Sequence, residues 1–383
     1  MKQKHASPTL SIGLPQMHLE AGERRAFLPQ FVTSLRKLRL SVVLEHGYGG
    51  TMGFAESEYR TTGKNGVRFS SEEEAYAQDI VLVLRYPAAE KLDMMRPGAC
   101  LISMIHYPTR PDRVADLRRR ELEAISLDSV IDDSGRRVVE NLRAVAWNGV
   151  ETAFNVLKET YPAPGLEGPE RSPIRVMLVG AGALGSHVVQ AAIRYGDLAL
   201  WDRLAKQNIP GVQLTVVDYD LTSNEAFMLE HLRHTDLLID ATQRPDPSQV
   251  VIPNRWIGEM PRHAVLLDLA VDPYDCEHEP RMVKGIEGIP HGNLDQYTFM
   301  PDDPAWESTV PDCVDSANRR ATAACYSWPA LRPQQCMQVY GQQIRSLLRN
   351  IAHPGGLGSI RLDGRYFQRA MARALLSKWQ PNQ

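Results

Sequence analysis

Apolar positions along the chain gather in short β-rich runs separated by stretches whose apolar residues recur at three- and four-residue spacing. Residues 11–15, 40–45, 79–84 and 100–105 read as strands, and residues 27–38 between the first two read as a helix. That alternation predicts an α/β lobe. A longer helix is predicted from about Val138 to Thr160. The segment from Tyr161 to Pro169 then carries three prolines and two glycines, cannot continue a helix, and marks a domain boundary. A second alternating region starts at Ile174 and continues through strands at 212–218, 237–241 and 264–268, as in a parallel sheet with right-handed crossovers. Beyond about Gly292 the pattern is irregular until helices near 334–351 and 366–378, which need a core and are expected to return to the first lobe. The expected division is 1–165, an inserted 170–300, and 301–383 returning to the first lobe.

One junction between a strand and a helix carries chemistry. The run Ile174 to Val179 breaks into Gly180-Ala181-Gly182-Ala183-Leu184-Gly185 and then resumes with helical periodicity. In a G-x-G-x-x-G turn the first glycine permits the turn and the second lets the backbone approach a pyrophosphate. The third lets the helix pack on the strand, so that phosphate oxygens meet unpaired N–H groups at the helix start. Gly180, Gly182, Ala183, Leu184 and Gly185 are therefore the expected cofactor-binding residues, with Ala241 and Thr242 at the end of a neighbouring predicted strand. A carboxylate for the adenosine ribose is expected about 20 residues on. Two residues compete. Asp202 lies at nearly that distance, but Leu198, Trp201, Leu204 and Ala205 around it recur at helical spacing. Asp218 lies further on yet ends the better strand, the extra residues being absorbed by an inserted helix ending at Asn208-Ile209-Pro210-Gly211. Asp218 is favoured. A carboxylate there repels a 2′-phosphate and so prefers NAD, with NADP as the alternative; the competing role for Asp218 is simply to cap the next helix.

Composition narrows the partners. A chain of 383 residues with 43% hydrophobic content is long enough for two domains. Its net charge of -3 comes from interspersed charges rather than blocks, which points to a small molecule and away from nucleic acid or an anionic membrane. No run approaches the roughly 20 apolar residues of a membrane span, and residues 1–14 lack a signal-peptide core, so a cytoplasmic location is expected. Cys100, Cys276, Cys313, Cys325 and Cys336 are odd in number and form no C-x-x-C, so buried reduced thiols are expected and no metal site. His353-Pro354-Gly355-Gly356-Leu357-Gly358 has the composition of a phosphate loop, but no strand precedes it, and a turn is expected.

The first lobe carries a resemblance. Ile12-Gly13-Leu14-Pro15 followed by Glu23-Arg24-Arg25-Ala26-Phe27-Leu28-Pro29 resembles the opening of the alanine dehydrogenase, transhydrogenase and saccharopine dehydrogenase family. Further landmarks follow in order. Val43-Leu44-Glu45-His46-Gly47-Tyr48-Gly49, with Gly53-Phe54 and Glu58-Tyr59, resembles the family's glycine-rich loop. Residues 79–87 resemble its strand ending in a basic residue and proline. His106 closes a strand as the family histidine does, and Leu267-Asp268-Leu269-Ala270-Val271-Asp272 resembles its V-D-x-A-x-D segment. Asp132-Asp133-Ser134-Gly135-Arg136-Arg137 is more similar to the D-x-G-R-R segment of fungal-type saccharopine dehydrogenases. The resemblance implies an α/β fold of two Rossmann-like lobes, the nucleotide-binding one inserted in a discontinuous catalytic lobe. It also implies an active site in the cleft between them and a homo-oligomer.

The implied activity is an NAD(P)-dependent oxidoreductase acting on the C–N bond of an amino acid, with an amino acid or keto acid as the small-molecule partner. Arg25 matches the family's substrate-binding arginine, although Arg24 is adjacent, and a guanidinium suits bidentate carboxylate recognition. His106 matches the histidine that hydrogen-bonds the reacting oxygen or nitrogen, and its ordinary pKa near 6.5 suits proton transfer. Asp272 matches the aspartate facing nicotinamide and substrate, while Asp268 reads as a buried structural carboxylate. Arg85 stands where the family usually has lysine; it can bind a carboxylate but cannot serve as a general base. An extra fixed fork there suggests a second or differently placed carboxylate, to which Arg136 and Arg137 could add, the alternative being that they are an exposed pair at a helix start. The lost lysine also motivates an alternative, a catalytically silent NAD-binding regulatory protein. An adenylating enzyme, the third class with such a glycine turn, is disfavoured because no zinc-binding cysteine pair or catalytic cysteine with basic neighbours is present.

Overall fold

A computed structural model describes residues 10–17, 20–60, 66–277, 279–352 and 356–380. The chain divides into two units, one formed by 1–141 with 332–383 and the other by 142–331.

In the first unit β1 (Ser11–Leu14), β2 (Ser41–Glu45), β3 (Arg68–Ser70), β4 (Ile80–Arg85), β5 (Cys100–Met104) and β6 (Glu123–Ser126) form one sheet in the order β3-β2-β1-β4-β5-β6. Every pair is parallel. Parallel strands are covered on both faces and so read as continuous apolar runs, as β4 does with five successive buried residues. The strand order reverses direction between β1 and β4, and ligands in such sheets sit beyond the carboxyl ends of the strands at this point. The helix Pro333–Ile351 closes one face. Its buried Met337, Tyr340, Ile344, Leu347, Leu348 and Ile351 repeat at three and four residues and join the core built on Ile12, Leu44 and Leu82. After the helix Tyr366–Ala374 the chain docks on β6, where the Leu376 N–H donates to the Ala124 carbonyl at 2.8 Å. The C-terminal helices thus join the first unit.

In the second unit β7 (Ile174–Val179), β8 (Val212–Val217), β9 (Leu237–Asp240), β10 (Val265–Asp268), β11 (Thr298–Phe299) and β12 (Ala321–Ala324) form a sheet in the order β11-β12-β10-β9-β7-β8. Only β11 runs antiparallel. β7 lies at the reversal of order, so the glycine turn that follows it opens at the carboxyl edge where a ligand is expected.

The limits of the units differ from the expected ones in two places. The helix Leu142–Thr160 lies on the second sheet, because its buried Ala146, Val150, Ala153, Phe154 and Leu157 share a core with Ile174, Leu178, Val265 and Leu267. Gly149 lets the helix sit close on the sheet: a Cβ there would lie 2.4 Å from Leu269 Cδ2, and that side chain would have to shift to admit it. The proline-rich segment after Thr160 does end the helix, but it stays within the second unit, with Leu166 buried in the same core. Residues 301–331 also belong to this unit. There Ala-Thr-Ala-Ala forms β12 against β10, a strand too short and too small in side chain to show in the apolar pattern.

The cysteine expectation needs correction as well. Cys276 and Cys313, with Cα atoms 6.8 Å apart, are joined by a disulfide, and the buried free thiols are Cys100, Cys325 and Cys336. The bonded pair sits in irregular segments 37 residues apart, a proximity that spacing in the sequence does not reveal. Among the described residues no helix is long and apolar enough to cross a membrane, and no group of side chains could hold a metal ion. Of the segment resembling a phosphate loop, His353, Pro354 and Gly355 lie outside the described residues, and Gly356–Ser359 forms a short 3-10 turn.

Candidate functional site

The glycine turn is shaped by what surrounds each glycine. Gly180 has φ of 102° and donates its N–H to the Val217 carbonyl at 2.8 Å. A Cβ there would come within 2.7 Å of the Ala241 carbonyl oxygen. A Cβ on Gly185 would come within 2.2 Å of the Gly180 carbonyl, the contact that sets the helix Ala183–Ala192 against β7. Gly182 is different: nothing lies within 4 Å of the place its Cβ would occupy, and both it and Ala183 are exposed. The fold requires the first and third glycines, and the second leaves open space in front of the helix N-terminus. The first N–H groups of this helix have no acceptor within it and point into that space. Open space before unpartnered N–H groups is what a pyrophosphate would need. Ala241 lies beside the turn, its N–H donating to the Val179 carbonyl at 2.8 Å, and Thr242 follows it.

The two ribose candidates separate by secondary structure. Asp202 lies within the helix Leu198–Lys206 and pairs with Lys206 one turn on at 2.5 Å, on an exposed face. Asp218 directly follows β8, at the carboxyl edge beside the glycine turn. One of its oxygens accepts the Tyr219 N–H at 2.9 Å. Both roles weighed for Asp218 are thus compatible with its position, since a carboxylate has acceptor sites to spare. Asp218→Ala is expected to weaken NADH binding by roughly tenfold or more, the scale of a hydrogen bond to a charged group, and to narrow any preference of NADH over NADPH. Titration of the variant with both nucleotides measures this directly.

At the ends of β9 and β10 the second unit holds a dense set of charges. Asp268 is buried as expected. Its Oδ2 pairs with Lys284 Nζ at 2.7 Å, and its Oδ1 accepts the Val271 N–H at 2.9 Å. The Asp272 side chain is about one-third exposed, and its Oδ2 pairs with Arg244 Nη2 at 2.8 Å. Asp240 is buried at the end of β9, with Oδ1 accepting from the Thr242 N–H and hydroxyl at 2.9 and 2.7 Å. Burial, and then the nearby charge of Asp268, push its carboxyl up to about 6 against the opposing Thr242 hydrogen bonds. Gly285 packs against it; a Cβ there would come within 2.1 Å of Asp240 Oδ2. Sequence reasoning missed Asp240, Arg244 and Lys284, of which Lys284 lies in a stretch without periodicity.

In the first unit the expected residues gather at the carboxyl ends of β4 and β5. Arg85 ends β4, opposite Met104 of β5, and His106 follows two residues later. Arg85 is about one-third exposed and ion-paired with Glu20. His106 has φ of 62°, and its N–H donates to Asp128 Oδ1 at 3.1 Å. Its Nδ1 lies 3.5 Å from Asp128 Oδ2, and the ring is half-exposed. Desolvation holds its pKa below the ordinary histidine range; the charges of Arg113, Arg137 and Arg85 act the same way, and Asp128 opposes them. Arg113 stacks over the Tyr86 ring at 4.6 Å and donates to the Ile105 carbonyl at 3.3 Å. Arg137 is exposed, on the short antiparallel bridge opposite Ile131. Three arginines and one aspartate thus set the field at His106. Asp128 and Arg113 were not foreseen, and β6, which leads into the short 3-10 turn Leu127–Ser129 carrying Asp128, was itself not read as a strand.

Arg25 takes a place that its motif did not foretell. It is buried, and its Nε and Nη2 meet Glu23 Oε1 and Oε2 at 2.9 and 2.6 Å. Burial disfavours both charges, yet the paired hydrogen bonds outweigh it, holding Glu23 below and Arg25 above their ordinary ranges. The fork expected to grip a substrate carboxylate already grips Glu23.

Comparison with known proteins agrees with this architecture. Residues 15–146 match the alanine dehydrogenase/PNT N-terminal domain. The chain is 24% identical to the NAD(P) transhydrogenase subunit alpha of Haemophilus influenzae, over 92% of this chain and 68% of that one. It is 23% identical to the alanine dehydrogenase of Geobacillus stearothermophilus, over 84% of this chain and 91% of that one. A solved L-alanine dehydrogenase shares the fold with a TM-score of 0.70 at 19% identity, covering 96% of this chain and 94% of its own. A transhydrogenase from Sinorhizobium meliloti follows at 0.58 and 17%, covering 88% and 93%. The chain thus has the fold of two Rossmann-like domains seen in the L-alanine dehydrogenase, and its sequence matches are to alanine dehydrogenases and NAD(P) transhydrogenase alpha subunits. At 23–24% identity the chain is a divergent relative of alanine dehydrogenases and of the transhydrogenase alpha subunit, and the likeness to the alanine dehydrogenase/PNT N-terminal domain lies in residues 15–146.

Proposed function

We propose that this protein is an NAD-dependent amino-acid dehydrogenase working on a C–N bond, by oxidative deamination or by reductive condensation of a keto acid with an amine. The observation that carries the reading is the placement of His106 beside Arg85 at the carboxyl edge of the first unit's sheet, with Asp128 at its ring. When bound there, a nicotinamide would supply or accept the hydride. The backbone of Gly182, Ala183 and Leu184 holds the pyrophosphate, Asp218 the ribose, and Ala241 and Thr242 flank the turn, a set that favours NAD over NADP.

The remaining tasks fall to side chains. Asp128 beside Nδ1 favours the proton on that nitrogen and leaves Nε2 as the basic position, so His106 takes the proton from the amine nitrogen as Cα loses its hydride, and returns it in reduction. Arg85, one-third exposed, exchanges its ion pair with Glu20 for the substrate carboxylate and Arg137 adds to it, whereas Arg25 is buried on Glu23 and braces the loop. A guanidinium is no general base, so Arg85 only binds. Asp272 lies at the carboxyl edge of the second sheet and faces the nicotinamide in this assignment.

Arg85→Gln is expected to raise KM for the acid by roughly 10- to 100-fold, the scale of a lost charge-assisted hydrogen bond, with a smaller effect on kcat. Steady-state kinetics over a panel of keto acids with ammonia or amines, following NADH consumption, tests the assignment. Saturable turnover of one acid supports it. Tight NADH binding without turnover of any acid would instead favour the silent nucleotide-binding protein that the exchange of lysine for Arg85 suggests.

A further inference from the structure

The turn from Asp268 to Asp272 is strained and doubly anchored. Val271 has φ of 63°, a left-handed conformation that β-branched residues avoid. Such a conformation persists only where its surroundings over-determine it, and it clusters at functional sites. Here the Asp268 carboxylate accepts the Val271 N–H with one oxygen and Lys284 Nζ with the other. The same Nζ donates to the main-chain carbonyl of Asp272 at 3.0 Å. One ammonium group therefore ties the first residue of the turn to the last. Lys284 and Asp268 are almost wholly buried, with side chains 2% and 3% exposed. A buried ion pair adds little net stability over apolar packing of equal volume, so the arrangement calls for a geometric explanation. The turn's last residue, Asp272, is held at its carboxylate by Arg244, which is itself 6% exposed.

We propose that Lys284 is a positioning residue for the reaction: by bridging Asp268 and the Asp272 main chain it locks the strained turn, and with Arg244 it fixes the direction of the Asp272 carboxylate. This rests on the assignment of Asp272 to the nicotinamide given above. Lys284 is buried and acts through the turn. Loss of the clamp lets Val271 relax and moves the carboxylate, and a misplacement of about 1 Å costs on the order of 100-fold in rate.

The experiment uses the full chain as wild type, Lys284→Met and the double variant Asp268→Asn with Lys284→Met; the double variant removes both charges in case the lone buried carboxylate prevents folding. Three quantities are read: kcat and KM for the acid, Kd for NADH, and amide hydrogen exchange. The expected result is a fall in kcat of about 10- to 100-fold in both variants, with Kd for NADH within about twofold of wild type. Exchange should quicken at residues 269–272 while β7 and β10 stay protected. Unchanged kcat and unchanged exchange in the variants would overturn the proposal. So would a loss of NADH binding and of protection throughout the second unit in step with kcat, which is the mark of a purely structural lysine. A wild type that turns over no acid overturns the functional reading instead, and exchange at 269–272 then decides the clamp.

Discussion

Replacing His106 by asparagine lowers kcat/KM for the acid by about 100- to 10,000-fold, the usual share of a positioned general acid–base, while Kd for NADH is unchanged. Asparagine keeps the N–H to Asp128 Oδ1 and tolerates the left-handed backbone, so the loss reads out the imidazole and not the fold. The pH profile carries the sharper signature. His106 has a depressed pKa, so it is neutral at pH 7 and gains a proton only below the ordinary histidine value of about 6.5. In the oxidative direction, which needs the neutral base, kcat/KM holds down to that lower value and then falls. Removing a positive neighbour with Arg137→Gln raises the pKa and moves the acid limb to higher pH; removing the negative one with Asp128→Asn moves it to lower pH. Shifts of equal sign in the two variants would show that His106 is not the group titrating.

Gly182→Val gives a folded protein that binds NADH at least about 100-fold more weakly. Gly180→Ala and Gly185→Ala fail earlier, at folding. The contrast follows from the space around each residue. Side chains at 180 and 185 meet fixed backbone at 2.7 and 2.2 Å, and backbone cannot yield as a flexible side chain does. At 182 there is room, so valine folds without strain and occupies the volume in front of the helix N-terminus that a pyrophosphate needs. Thermal melts of the three variants beside NADH titrations separate the two kinds of failure. A Gly182→Val protein with native affinity would remove the phosphate from this turn.

Much of this was legible in the sequence because it depends on local pattern. The run Ile174 to Val179 with its glycines is a strand, turn and helix by spacing alone. The helical period of Leu198, Trp201, Leu204 and Ala205 placed Asp202 on a helix, leaving Asp218 at a strand end. His106 and Arg85 came from ordered landmarks along β4 and β5, and the structure brings them side by side. What was not legible depends on contacts between segments distant in sequence. The helix Leu142–Thr160 shows an apolar face, but periodicity does not say which sheet it covers. Cys276 and Cys313 meet through irregular segments, and Lys284 finds Asp268 from one of them. Arg25 is the instructive case: its motif names a carboxylate, and the nearest carboxylate proved to be Glu23 two residues before it.

The account stands on a dinucleotide at Gly180 to Gly185, and calorimetric titration of the full chain with NADH and NADPH tests it most directly, followed by keto acids added to the NADH complex. The expected result is saturable binding with NADH preferred, and one acid that tightens the complex. Absence of binding by either nucleotide, from a protein whose melting shows it folded, would contradict the assignment of the turn and the oxidoreductase reading with it.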